Sequence, residues 1–150
     1  YTRTGARTPM QWSNEPNAGF SKAHKEDLYL PVDPSIHRPN VADQDADPQS
    51  LLNRVRALTR LRLEYTALQA DADFEVVLGE SGKLPFVYAR SKGEQKLLIA
   101  LNPANREVSV DLPFSSLEIL DAPAEKCIGP AADGCTLTLD PVSGGIFEVH

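Results

Sequence analysis

Sulfur, imidazole and indole are all scarce in this sequence, which has two Cys, three His, one Met and one Trp. Two Cys with no His beside them supply too few ligands for a structural zinc site. Cys127 and Cys135 flank IGPAADG, a spacing that suits a hairpin. The pair reads either as two reduced, half-buried thiols or as a disulfide across that hairpin. Redox catalysis needs a closer pair, such as CxxC. No apolar run approaches the length of a membrane span, so none is expected. The chain also lacks an initiator Met, a basic n-region and an apolar h-region at its start. Tyr1 therefore reads as a cut, and the chain as a piece of something longer.

Positive charge is in short supply too. The net charge of −6 and pI near 5.0 argue against nucleic acid or an anionic membrane as the main partner. Basic residues cluster only in RVRALTRLR, where a plainer explanation applies below.

Self-sufficient catalytic motifs are missing as well. His24, His37 and His150 are scattered, and there is no GxSxG, GxxxxGK[ST], GxGxxG or HExxH. Asp43, Asp45 and Asp47 alternate in VADQDADP but lack the glycine and terminal Glu of a calcium loop. They are read as solubilising groups and as favourable charge at a helix N-terminus.

The chain has 150 residues, 41% of them hydrophobic, enough for one core of ordinary size. Residues 1–47 hold five of the 12 prolines and almost no periodicity. A structureless run that long is unusual in a compact domain unless it is functional or lies on a larger scaffold. Within it, DLYLPVDPS offers one short extended piece. Asp47 and Pro48 then read as an N-cap and first helical residue. Leu51, Val55, Leu58, Leu61 and Tyr65 follow at spacings of four, three, three and four, one face of a helix, which Leu52 widens. Arg54, Arg56, Arg60 and Arg62 fall largely elsewhere and are read as its solvated side.

Near residue 73 the period changes from 3.6 to 2. Strands are expected at 74–78, 85–91, 95–102, 106–112, 117–121, near 126–128, at 135–139 and at 144–150. Turn signals GESGK, SKGEQ, NPANR, GPAADG and DPVSGG separate them. QKLLIALN is nearly all apolar and is expected to be a central strand buried on both faces. Short strands without intervening helices imply an all-β antiparallel sandwich that could fold alone. Residues 1–70 are not expected to.

The opening resists a bland account. RTPMQWSNEPNAGFS puts Arg7, Gln11, Trp12, Asn14, Asn17 and Phe20 in one irregular stretch. Planar polar groups suit bidentate contact with hydroxyls, and aromatic faces suit the C–H side of a pyranose. Trp12 and Phe20 could equally pin the loop to a domain.

GARTPMQWSNEPNAGFS resembles the late-barrel segment of glycoside hydrolase family 13, in its α-glucosidase, oligo-1,6-glucosidase and trehalose synthase branches. The resemblance continues through LYLPV, Asn40-Val41, Gln44 and DPQSLLNRVRALTRLRLEYTAL, which is similar to the last barrel helix of that family. It implies that residues 1–70 end a catalytic (β/α)8 barrel, as active-site loop and last helix. Residues 71–150 then form a C-terminal β-sandwich, a part whose own sequence is much less specific.

The resemblance further implies a retaining α-glucoside-acting enzyme whose nucleophile Asp, acid/base Glu and third Asp lie upstream of this chain. None of the carboxylates present here replaces them, so the chain alone is expected to be inactive. Arg7 matches the Arg that contacts the non-reducing-end glucose, while Gln11 and Trp12 are weaker substrate-binding candidates that more plausibly shape the loop. The implied partners are an α-glucosidic oligosaccharide and the remainder of the barrel. No cofactor is required, and any structural calcium would belong to the upstream part. The implied setting is the bacterial cytoplasm, with the periplasm as the alternative. Two rival functions stand beside hydrolysis or transfer: a trehalose synthase isomerising maltose and trehalose, and a non-catalytic family-related assembly subunit. A free-standing carbohydrate-binding sandwich is a third, opposed by Phe74, Phe86, Tyr88, Phe114 and Phe147 mostly falling at core-like positions.

Overall fold

The computed structural model describes residues 7–121, 128–131 and 133–150, with the side chains of 128–131 left aside. The chain divides into two compact units, Tyr1–Arg60 and Leu61–His150.

In the first unit, two short 3-10 turns at Pro16–Gly19 and Lys25–Asp27 precede helix α1 (Val41–Ala46) and the longer α2 (Leu51–Glu64), whose last turn belongs to the second unit. DLYLPVDPS forms no strand; its first residue closes the second 3-10 turn. Helix α1 went unanticipated because six residues are too few to display a period.

The N-cap expected at Asp47 is in fact Ser50. Its Oγ accepts from the Asn53 N–H at 3.2 Å, and its carbonyl accepts from the Arg54 N–H at 2.9 Å. Asp47 instead closes a turn of its own, its Oδ1 accepting from the Gln49 N–H at 2.9 Å. Both residues can cap, and Pro48 fits the turn as well as a helix start. Asn53 then locks the junction, its Nδ2 donating to the carbonyls of Gln44 (3.0 Å) and Asp47 (2.9 Å). Asp45 pairs with Arg56.

Helix α2 has the expected apolar stripe, yet none of its residues is buried. Leu51 remains 73% exposed and Val55 52%. Its arginines lie at the surface, as expected for a solvated side.

The second unit is β-rich. Its strands are β1 (Asp73–Leu78), β2 (Phe86–Lys92), β3 (Gln95–Asn102), β4 (Val108–Leu112), β5 (Leu117–Asp121), β6 (Ile128–Ala131), β7 (Gly134–Leu139) and β8 (Ser143–Val149). They form a five-stranded sheet in the order β1-β2-β3-β8-β5 and a three-stranded sheet β4-β7-β6. All the pairings are antiparallel. Most boundaries fall where alternation and turn residues put them. The exception is GPAADG, read as a turn: β6 runs on through Gly129 and Pro130, and the reversal follows Ala131. An edge strand tolerates proline there, because a missing N–H costs no ladder bond.

Strand β3 is central, and Leu97, Leu98, Ile99 and Ala100 are all buried, as a two-sided apolar strand requires. Both sheets supply one core: Val87, Ala89, Leu98, Ala100, Leu117 and Phe147 from the larger, with Val108, Leu112, Cys135, Leu137 and Leu139 from the smaller. Burying each fully enclosed Leu or Phe side chain contributes about 1.5–3 kcal/mol. On the other face of the larger sheet, a 3-10 turn at Thr66–Leu68 buries Ala67 against Leu97 and Ile99. The Gln95 Oε1 holds it there, accepting from the Ala67 N–H at 2.9 Å.

Asn102 is a buried polar residue of this unit, 1% exposed. Its Nδ2 donates to the carbonyls of Arg106 and Asp140, each at 2.8 Å, and its Oδ1 accepts from the Ala104 N–H at 3.0 Å. The amide thereby supplies the bonds of a turn that has no ladder of its own.

Cys135 is a buried free thiol. Cys127 lies outside the described residues, so its expected place in a hairpin pair does too. Phe147 is buried in the core, whereas Phe74 is 57% exposed and stacks at 5.1 Å on Tyr88. Phe74 is the exception among the core-like positions: it stands on edge strand β1, whose residues from Asp73 to Val76 are all exposed.

Candidate functional site

The loop carrying the candidate residues is irregular in path yet closely bonded. Proline at position 9 denies it helix, and its carbonyls must find donors outside a regular ladder. Those donors are the N-terminal amides of α1. The Val41 N–H donates to the Gln11 carbonyl and the Ala42 N–H to the Trp12 carbonyl, both at 3.0 Å. The next amide, Asp43 N–H, donates to the Oδ1 of the N-cap Asn40 at 2.9 Å. Three of the four amides that a helix start leaves orphaned are thus used, two of them to hold the loop.

Asn40 is 2% exposed and does more than cap. Its Nδ2 donates to Asp43 Oδ2 at 2.7 Å, and the Asn14 Nδ2 donates to the same oxygen at 3.0 Å. The acidic run is therefore not only a solubilising stretch: Asp43 is bonded into the base of the loop.

The far side of the loop is fixed by an unusual backbone. Asn17, Ala18 and Gly19 are consecutive left-handed residues, with φ of 53°, 56° and 67°. For Ala18, which is buried, that conformation costs about 1–2 kcal/mol. Its carbonyl repays part of this by accepting from the N–H groups of Trp12 (2.9 Å) and Ser13 (3.1 Å). The Asn17 Nδ2 donates to the carbonyls of Ser21 (3.1 Å) and Ala23 (2.8 Å). Gly19 is required twice over, by its φ and because a Cβ there would lie 2.6 Å from Ser13 Oγ.

Onto this frame the candidate side chains divide by role. Arg7 is exposed, and its guanidinium has no hydrogen bond or ion pair among the described residues. Trp12 is 51% exposed and Phe20 50%, so neither is buried against the described residues of this chain. The Gln11 Oε1 is buried without a partner among the described residues. A bare buried amide oxygen costs about 1–3 kcal/mol. What Gln11 and Trp12 contribute here is their carbonyls, which accept from the Val41 and Ala42 N–H groups. A cavity of about 490 Å³ opens beside the loop between Asn14, Asn17, Lys25, Asp33 and Arg38; Arg7, Gln11 and Trp12 do not line it. Sequence reasoning missed Asn40 and Ala18, the residues that set the loop's geometry. The capping pattern Asn40-Val41-Ala42-Asp43 was the available signal for the first; an alanine in a left-handed conformation gives none.

Comparison with known proteins gives a consistent picture. Residues 1–71 match the α-amylase catalytic domain family. The chain is 34% identical over 128 residues to a glucan 1,6-α-glucosidase of Streptococcus dysgalactiae subsp. equisimilis, covering 84% of this chain and 23% of that protein. It is 37% identical over 109 residues to a probable oligo-1,6-glucosidase of Bacillus subtilis (strain 168), covering 73% of this chain and 18% of the relative. Among solved structures, the trehalulose synthase of Pseudomonas mesoacidophila MX-45 superposes with a TM-score of 0.75 at 30% identity, covering 99% of this chain and 26% of that one. The chain thus spans about a fifth to a quarter of the relatives it matches. No helix among the described residues is long and apolar enough to cross a membrane. Through its first 71 residues, this chain belongs to the α-amylase family, glycoside hydrolase family 13.

Proposed function

We propose that this chain is the C-terminal portion of a retaining enzyme that cleaves or transfers terminal α-linked glucose from maltose-like oligosaccharides. The observation that carries the reading is the state of Arg7: an exposed guanidinium without a partner among the described residues, at the edge of a loop whose backbone is bonded on two sides. Such a planar donor array suits bidentate contact with sugar hydroxyls. Gln11 and Trp12 support the loop, and the buried Gln11 oxygen offers an acceptor to the rest of the barrel.

Retention requires a carboxylate nucleophile and a carboxylic acid that flank the scissile bond. In this reading both belong to the upstream part of the polypeptide, with the third Asp. This chain's contribution is to grip the terminal glucose. Residues 1–70 are read as the end of the catalytic (β/α)8 barrel, and residues 71–150 as a C-terminal β-sandwich. The exposed apolar stripe of α2 supports packing against the rest of a barrel, and the core shared by two antiparallel sheets supports the sandwich. A bacterial cytoplasmic setting fits the free thiol of Cys135.

The likeness to a trehalulose synthase favours one second reading, a sugar isomerase, in which the released sugar rather than water attacks the glycosyl-enzyme. Assay of the longer polypeptide on p-nitrophenyl α-glucoside and maltose decides the class. α-Glucose should appear first by NMR, and the isolated 150-residue chain should show no turnover. β-Glucose as first product, or turnover by the isolated chain, contradicts the proposal. Conversion of one disaccharide into another without net glucose release selects the isomerase.

A further inference from the structure

Away from the loop, strands β5 and β8 place two carboxylates and an imidazole together. Glu118 and Glu148 are direct cross-strand partners, so both side chains stand on the same face of the sheet. His150 follows Glu148 by two positions and projects to that face as well. Its backbone is held in place: the N–H donates to the Ser116 carbonyl at 3.2 Å, and its carbonyl accepts from Ser115 Oγ at 2.9 Å. The Nε2 lies 3.3 Å from Glu118 Oε2, and one ligand atom from each of the three residues lies within 4.8 Å of the other two.

Like charges directly opposite one another destabilise an antiparallel pair. Neither glutamate forms an ion pair with a lysine or arginine among the described residues. The register forces the two carboxylates together and leaves the imidazole as their neighbour.

We propose that Glu118, Glu148 and His150 form a binding site for one divalent transition-metal ion of the zinc type, which bridges β5 to the end of β8. Two oxygen donors and one imidazole nitrogen suit zinc, whereas the nitrogen disfavours magnesium and calcium. Zinc binds such ligands at about 2.0–2.2 Å, which draws the donor atoms to roughly 3.3 Å from one another. The closure needs only side-chain rotation, because the Glu118 and His150 side chains are 65% and 52% exposed. Water completes the shell, and the metal cancels the repulsion that the strand register imposes.

The test compares the full-length polypeptide with Glu118→Gln/Glu148→Gln and His150→Ala variants, each stripped with chelator and titrated with zinc chloride by calorimetry. Wild type should bind one zinc equivalent more than either variant, or bind that equivalent at least about tenfold more tightly. Equimolar magnesium or calcium should not compete. Thermal unfolding adds a second readout: the double Gln variant should melt above wild type without metal, and zinc should reverse that order. Identical zinc titrations for all three proteins, competition by equimolar calcium, or a melting order that ignores zinc would each overturn the site.

Discussion

Asn40 and Asp43 bond each other in both directions. The Asp43 N–H donates to the Asn40 side-chain oxygen, and the Asn40 side-chain amide donates to the Asp43 carboxylate. This reciprocal pair starts helix α1 while leaving the amides of Val41 and Ala42 aimed at the carbonyls of Gln11 and Trp12. The helix start is thereby the mounting of the loop. Replacing Asn40 by Ala should weaken the mounting by about 1–2 kcal/mol. Hydrogen exchange at Val41 and Ala42 should then quicken by about 5- to 30-fold. Unchanged exchange would mean that the loop is held by something else.

Gly19 makes a sharper test of the other side of the loop. Gly19→Ala puts a Cβ at a φ of +67° and against Ser13 Oγ. The expected loss is at least about 1 kcal/mol from the backbone alone. It should appear as faster exchange of the Trp12 and Ser13 amides, which bond Ala18. The β-rich unit should keep its protection.

Asn102 tests the second unit. Asn102→Leu keeps the branched shape of the side chain but removes the donor from the carbonyls of Arg106 and Asp140. Stability of that unit should fall by on the order of 1–3 kcal/mol, read from urea denaturation. A neutral outcome would show that water takes over these carbonyls.

Burial, and then Asp111, pushes the Cys135 thiol above the ordinary thiol value. The sign follows from where the proton is held more tightly, which is the folded state. The associated stability is fully present below the unfolded thiol pKa and is lost as pH rises through the folded one. A Cys135→Ala variant should therefore lose less stability than the parent on moving from neutral to strongly alkaline pH. At neutral pH the native thiol should react with Ellman's reagent far more slowly than in urea, measured in a Cys127→Ser background.

Much of this architecture was legible from residue patterns. QKLLIALN could hardly be anything but a buried central strand, and the alternation around Val87, Leu137 and Phe147 placed the core. The helix stripe of α2 was equally plain in spacing, but whether it was covered was not, since periodicity reports a face and never its occupant. The N-cap slipped from Asp47 to Ser50 because both residues cap, and only the carbonyls of Gln44 and Asp47, bound by Asn53, decide between them. In the loop, Arg7 stood out through its motif. The left-handed Ala18 and the amides of α1 did not, because they are backbone features that side-chain chemistry does not announce.

The most direct test of the functional reading is the kinetics of Arg7→Ala in the full-length polypeptide, on maltose and p-nitrophenyl α-glucoside. Losing a guanidinium contact to the terminal glucose should lower kcat/KM by about 100-fold or more. Circular dichroism and the exchange of the Val41 and Ala42 amides should stay unchanged. Kinetics within about twofold of the parent, with the loop intact, would contradict a role for Arg7 in holding the sugar.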